Sequence, residues 1–194
     1  MVNIKYIIGS TRPNRFGPKP AAWLMELAEN YKDKATFELI DLKEVNLPFL
    51  DEPQPPAMGN YAQDHTKAWA KRIDEADGFV FVTPEYNHST SPALKNAIDF
   101  LGREWANKPV ALVGYGSDAG GARAIEHLRN VVAWLSMFSL REHVIIPQYW
   151  EQLDDQGNFV PTEKQTEGAK RMLESLIFWA EQMQRARTDL AAKN

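Results

Sequence analysis

Short runs of β-branched and aromatic apolar residues alternate along this chain with longer stretches in which apolar positions recur every three or four residues. The first kind, at Ile4 to Gly9, Thr36 to Asp41, Phe79 to Thr83, Val110 to Gly114 and Val144 to Ile146, predicts five strands. The second kind predicts the helices between them. One is expected from near Pro18, with Ala21, Ala22, Leu24, Met25 and Ala28 as its apolar face. Another spans Asp64 to Ala76. Ser91 as a cap and Pro92 in the first turn open a third, which carries Ala93, Leu94, Ala97, Ile98 and Leu101 and ends near Gly102. A fourth covers Gly120 to Met137, and the last sets Ala169, Met172, Leu173, Leu176, Ile177, Ala180 and Met183 on one face. From Leu47 to Tyr61 the prolines of LPFLDEPQPPAMGNY can sustain neither helix nor central strand, so a long surface loop is expected there.

Strands alternating with helices mark parallel βαβ units. Five of them suit an α/β fold with a doubly wound five-stranded parallel sheet in the order 2-1-3-4-5. Right-handed crossovers gather the strand-to-helix loops at the carboxyl edge, where such sheets bind ligands. Three of these loops have unusual composition: Ser10 to Gly17, Pro84 to Ser91, and Gly116 to Gly121.

Composition narrows the chemistry. With 194 residues, 44% of them hydrophobic and 25% charged, the chain is expected to form a single domain over residues 1–194. A net charge of −4 without a basic stripe argues against a nucleic-acid partner. There are no cysteines, so disulfides, thiolate nucleophiles, iron–sulfur ligation and sulfur-based zinc sites are excluded. Redox chemistry would have to reside on a bound cofactor. No apolar run reaches the ~18 residues that cross a bilayer and no cleavable leader is evident, so the expectation is a cytoplasmic protein without membrane contact.

Several eye-catching residues take ordinary readings. His65, His88, His127 and His143 lack metal-ligand spacing, and no metal is assigned. His88 is read as a hydrogen-bonded loop histidine rather than a proton donor. Lys95 and Asp99, one helical turn apart, suit a surface ion pair. Of the six tryptophans, Trp23, Trp69, Trp134 and Trp179 fall in helical segments and suit core or subunit contacts, whereas Trp105 and Trp150 lie near loops and are better placed to line a site.

The first loop, GSTRPNRFGPK, follows a strand and precedes a helix. A phosphate there would meet unpaired helix N–H groups, the Ser10 and Thr11 hydroxyls, and charge-assisted bonds from Arg12 and Arg15. The loop matches neither GxGxxG nor GxxxxGK[ST], which removes the main support for dinucleotide and P-loop readings. Taken alone, the spacing also fits a surface loop with solvated arginines.

The second loop, within TPEYNHSTSPALKNAIDFL, resembles the PEYN-type signature of the NADPH-dependent FMN reductase family, flavodoxin-like enzymes that include quinone, azo and chromate reductases. The GSTR loop matches in position, and GSDAGGARA is similar to the family's third loop, so the resemblance extends to about residue 146. It implies that Ser10, Arg12, Arg15, Phe16 and Gly17 surround an FMN phosphate and ribityl chain. It implies likewise that Pro84, Glu85, Tyr86 and Asn87 contact the flavin, with backbone N–H groups from Glu85 to His88 on its pyrimidine side. Ser117, Gly120 and Gly121 would let the third loop approach the ring's other edge. Arg15 and Pro18 stand where many members carry serine and asparagine.

The resemblance further implies NADPH or NADH as donor, hydride transfer to flavin N5, and a small-molecule acceptor such as a quinone, azo compound, metal oxyanion or flavin, with ping-pong kinetics and no catalytic side chain. It also implies a homodimer or tetramer, with Leu47 to Tyr61 and the helix from Ser91 as the contact. The alternative is a flavodoxin-type FMN electron carrier that does not itself oxidise NAD(P)H; such carriers present strongly acidic docking faces, and −4 is mild. A phosphate-site hydrolase would need a nucleophile or metal carboxylate at a strand end, where the first strand has glycine.

Overall fold

Every apolar run predicted as a strand is one, usually lengthened by a residue or two at its ends. The computed structural model describes residues 1–192. In chain order the elements are β1 Val2–Ile8, α1 Pro18–Ala28, β2 Ala35–Asp41, α2 Leu42–Val45, α3 Asp64–Asp74, β3 Gly78–Pro84, α4 Pro92–Asp99, β4 Pro109–Tyr115, α5 Ala122–Trp134, β5 Phe138–Ile146 and α6 Glu163–Ala191. The strands form one five-stranded parallel sheet in the order β2-β1-β3-β4-β5, as expected for a doubly wound fold.

Strand alternation divides the core in two. Ile4, Tyr6 and Ile8 of β1, with Val80, Val82, Ala111 and Val113, face α1 and α6. Ile7, Phe79, Phe81, Val110 and Leu112 face the opposite layer of α3, α4 and α5. Both faces of β3 and β4 are covered, which is why these strands read as unbroken apolar runs. Lys5, fully buried on the second face, is neutralised by Glu38 at 2.9 Å and Glu75 at 3.2 Å. Among the described residues no helix is long and apolar enough to cross a membrane.

Three departures have plain causes. β5 is three times longer than the run Val144 to Ile146, because it is an edge strand whose first half alternates polar residues outward and carries a register shift against β4. α5 begins at Ala122 rather than Gly120, since Gly120 and Gly121 have φ of +59° and +90° and belong to the preceding turn. Trp105 lines no site: it is fully buried against Phe79 and Phe81, and its indole N–H donates to the Ile98 carbonyl at 3.1 Å.

Trp69 lies in the core, but Trp134 is 89% exposed and contributes nothing to it. The segment 47–61 is irregular apart from a short turn at Pro56–Met58, as its prolines dictate. The Lys95–Asp99 pair forms, at 2.6 Å.

Candidate functional site

The carboxyl ends of β1, β3 and β4 open into a cavity of about 210 Å³, lined by Ser10, Arg12, Asn14, Arg15, Phe16, Pro84, Glu85, Tyr86, Tyr115, Gly116, Ser117 and Tyr149. All three compositionally unusual loops therefore meet there. Two hydrogen bonds lock the first loop to the second. Ser91 accepts from the Leu94 amide at 3.1 Å as the cap of α4 and donates to the Gly9 carbonyl at 2.5 Å. The hydroxyls of Ser10 and Tyr86 lie 3.0 Å apart.

The first loop is receptive to an anion, though not in the way its position suggests. α1 starts at Pro18 with Pro20 two residues on, so two of its first N–H groups do not exist, and the Lys19 amide is used on the Phe16 carbonyl at 2.9 Å. The donors come from the loop instead: among the described residues, the amides of Ser10, Thr11, Arg12, Asn14, Arg15 and Phe16 find no protein acceptor. Asn14, at φ +52°, turns the chain so that Arg15 points inward. The Arg15 side chain is 12% exposed and pairs through Nη2 with Asp41 at the end of β2, while its Nη1 is buried without a partner.

The Tyr115 hydroxyl is also buried, with no hydrogen bond of good geometry although the Ser10 side chain and the Gly17 amide lie beside it, and burial drives its pKa far above the usual phenolic value. Buried donors without acceptors are rare and costly. Arg15 and Tyr115 both line the cavity, beside unspent loop amides and the exposed Arg12, a donor set suited to a phosphate group.

Gly17 does not line the cavity; its role is close approach, since a Cβ there would lie 3.0 Å from Tyr115 Oη and 3.1 Å from Ile8 Cγ2. Phe16 stacks among Tyr115, Tyr149 and Phe159 with ring centroids 5.2, 4.6 and 5.4 Å away. Arg12 remains exposed, its guanidinium 5.8 Å from the Tyr86 ring centroid.

In the second loop, Asn87 and His88 both adopt left-handed conformations, with φ of +48° and +67°, and close a two-residue turn. Tyr86 and Ser89 exchange backbone bonds across it at 2.9 and 3.0 Å. This corrects the expectation for the amides from Glu85 to His88: the Glu85 amide is spent on the Tyr115 carbonyl at 2.9 Å and the Tyr86 amide on Ser89, leaving those of Asn87 and His88. The Glu85 carboxylate turns toward α5, pairing with Arg123 and accepting from the Arg123 amide at 3.2 Å. Asn87 lies outside the cavity, on the wall of a neighbouring hollow with Lys95 and His127. His88 makes no side-chain hydrogen bond among the described residues, contrary to expectation.

The third loop also differs in its reason. Gly116 and Ser117 reach the cavity, but Gly120 and Gly121 do not; they pack against protein. A Cβ on Gly121 would fall 2.4 Å from the Tyr115 amide nitrogen, and one on Gly120 would fall 2.7 Å from the Pro147 nitrogen.

Sequence reasoning did not single out Asn14, Tyr115 or Tyr149, and named Gly116 only as the start of the third loop. Asn14 signalled itself only as a residue tolerant of positive φ, and Tyr115 only as an aromatic at a strand's carboxyl end. Tyr149 comes from a connection after β5 that carries no motif. Its neighbour Trp150 is half-exposed, with its ring 5.3 Å from that of Tyr149.

Segment 47–61 is strapped beside this edge. Asn96 donates to the Pro48 carbonyl at 2.7 Å and accepts from the Leu50 amide at 3.0 Å. The Tyr61 hydroxyl donates to buried Glu104 at 2.7 Å. Between this segment and α4 runs a groove of about 480 Å³ that reaches Thr11 and is flanked by Phe49, itself 86% exposed.

A doubly wound parallel sheet whose carboxyl edge joins an anion-receptive first loop to an aromatic second loop defines a flavodoxin-like α/β protein. Its fold is that of a solved flavoenzyme NAD(P)H:(acceptor) oxidoreductase from Paracoccus denitrificans, with a TM-score of 0.75 at 24% identity over 94% of this chain and 99% of that one. The model of the NADPH-dependent FMN reductase family matches residues 2–151.

An NAD(P)H-dependent FMN reductase of Schizosaccharomyces pombe is 43% identical over 136 residues, 69% of this chain and 67% of its own length. A 2-hydroxy-1,4-benzoquinone reductase of Burkholderia is 31% identical over 166 residues, 82% of this chain and 86% of its own. The chain belongs to the NADPH-dependent FMN reductase family, and is an oxidoreductase with FMN as cofactor and NAD(P)H as electron donor.

Proposed function

We propose that this chain is a single-domain, cytoplasmic FMN-dependent NAD(P)H:quinone oxidoreductase whose flavin phosphate sits among the loop amides, Arg12 and Arg15. The observation that supports the site assignment is the cavity itself, where the unspent amides of the first loop, Arg15 held inward by Asp41, and Tyr115 meet the second loop. FMN, when bound, supplies the redox chemistry, taking a hydride from NAD(P)H and passing the electrons to the acceptor.

The residues of the chain bind, orient and shield. The Ser10 hydroxyl and the amides of Ser10, Thr11, Arg12, Asn14, Arg15 and Phe16 give neutral donors for phosphate oxygens, and Arg12 and Arg15 give charged ones. At about 210 Å³ the cavity is smaller than the ~300–1,000 Å³ of sites that enclose a whole drug-sized ligand, so it suits the phosphate and ribityl end of the cofactor. Pro84, Tyr86, the free amides of Asn87 and His88, Gly116 and Ser117 would then hold the flat ring. Glu85 contributes indirectly, by clamping the second loop to α5 through Arg123.

Tyr86 and the small residues Gly116 and Ser117 would leave room for a flat acceptor such as a quinone beside the cofactor, and donor and acceptor sharing that space would take turns. A homodimer that places segment 47–61 and α4 against the partner would cover Phe49 and close the groove beside Thr11.

The test is an absorption spectrum of the purified protein, recorded anaerobically before and after NADPH or NADH. A flavin spectrum bleached by either nucleotide and restored by a quinone, with parallel double-reciprocal lines, is expected. A flavoprotein that no nucleotide bleaches would be an electron carrier; a colourless protein that does not take up FMN would remove the reading altogether. A monomer by light scattering at micromolar concentration would remove the subunit contact.

A further inference from the structure

We propose that Asp41, at the carboxyl end of β2, is a positioning residue that holds Arg15 for the cofactor phosphate and thereby sets the preference for FMN over riboflavin. The inference rests on the phosphate assignment made above. Asp41 belongs to none of the three loops that the motifs single out, yet it is fixed at both carboxylate oxygens. Oδ1 accepts the Lys43 amide at 2.9 Å as the cap of α2, and Oδ2 pairs with Arg15 Nη2. Its side chain is 15% exposed and that of Arg15 12%. A carboxylate bound to the backbone on one side has little freedom on the other, so it fixes the plane of the guanidinium it holds.

The consequence lies at the far edge of that guanidinium. With Nη2 committed to Asp41, Nη1 is left buried and without a partner among the described residues, in a side chain that lines the cavity. An arginine in an eight-residue polar loop would ordinarily swing into water and spend its long side chain's rotamer freedom there. Here the pair holds it inward before any ligand arrives, and the ordering cost of a charged phosphate ligand is met on folding rather than on binding. The negative charge of Asp41 also keeps Arg15 from being an isolated buried cation. The bond at stake goes to the phosphate alone. Riboflavin, which has the same ring and ribityl chain but no phosphate, should not sense it.

The experiment is a fluorescence-quenching titration of the FMN-free protein with FMN and with riboflavin, for wild type, Asp41→Asn, Arg15→Gln and the double variant. Asp41→Ser runs in parallel, since serine keeps the cap on the Lys43 amide and loses the pair with Arg15. Thermal unfolding of each protein identifies any that fails to fold. In wild type, FMN is expected to bind more tightly than riboflavin. Asp41→Asn and Asp41→Ser should each weaken FMN binding by about ten-fold, the worth of one charge-assisted hydrogen bond, and leave riboflavin binding unchanged. The double variant should be no weaker than Arg15→Gln alone, because Asp41 acts through Arg15.

Equal losses for FMN and riboflavin, additive losses in the double variant, or no loss in either Asp41 variant while Arg15→Gln weakens FMN would each overturn the role of Asp41. No preference for FMN in wild type, or no effect of Arg15→Gln, would instead overturn the phosphate assignment on which it rests.

Discussion

Replacing Gly121 with alanine separates two explanations of the third loop, one in which its glycines make room for a flavin ring and one in which they make room for the protein's own backbone. Gly121 has φ of +90°, and a Cβ there would lie 2.4 Å from the Tyr115 amide nitrogen and 2.5 Å from the Gly114 carbonyl carbon. These neighbours are main chain of β4, so no rotamer change relieves the contact and α5 must shift against the sheet. Positive φ costs a non-glycine residue about 1–2 kcal/mol, and overpacking of this kind about 1–3 kcal/mol. The reduced freedom of alanine in the unfolded chain returns about 0.4–1 kcal/mol.

The expected result is a net destabilisation of about 3 kcal/mol, a fall in Tm of about 6–12 °C for a chain of this size. Urea unfolding of the FMN-free protein, with an unchanged m-value, measures it. Gly116→Ala is the internal contrast. That Cβ would meet Glu85 Cβ at 3.3 Å and the Gly121 amide nitrogen at 3.4 Å, near ordinary contact, and it stands on the cavity wall, so stability should change by under ~1 kcal/mol while FMN affinity falls. If Gly121→Ala unfolds like wild type but loses FMN, the backbone explanation is wrong and the glycine serves the cofactor directly.

Two further outcomes follow from the geometry. Lys108 is buried, with its ammonium on the Ile73 and Asp74 carbonyls at 3.0 and 2.9 Å, and burial, partly offset by Asp74, pushes its pKa down to about 8 from 10.5. A depressed lysine pKa means that the unfolded chain binds the extra proton between those values. Wild type should therefore gain stability over Lys108→Met as pH rises from about 8 to about 10.5, by on the order of 2–3 kcal/mol; a difference that is flat across that window in urea melts would refute it. Arg12→Ala removes an exposed, unpaired guanidinium at the mouth of the cavity and should weaken FMN binding about ten-fold by fluorescence titration, whereas unchanged flavin retention would mean that the phosphate does not meet Arg12.

What the sequence determined by itself was the order of elements, the five-stranded sheet and the convergence of three loops. Those features follow from local periodicity and from the fixed handedness of βαβ crossovers, and both are written residue by residue. Ser10, Arg12, Tyr86 and Ser117 were legible for the same reason, since they lie in contiguous motifs at strand ends.

Tertiary structure alone decided how those residues are used. That Arg15 turns inward depends on Asp41, 26 residues away and on the neighbouring strand. That the Glu85 carboxylate accepts from the Arg123 amide at the start of α5 depends on a residue 38 positions further on. Tyr115 and Tyr149 join the site because β4 and β5 are adjacent, which no local pattern records. Trp105 was drawn toward the site by its loop position and taken into the core by Phe79 and Phe81. Side-chain burial and hydrogen-bond partners are set by contacts between segments far apart in the chain, so spacing can nominate a residue for a site but cannot say which way it faces.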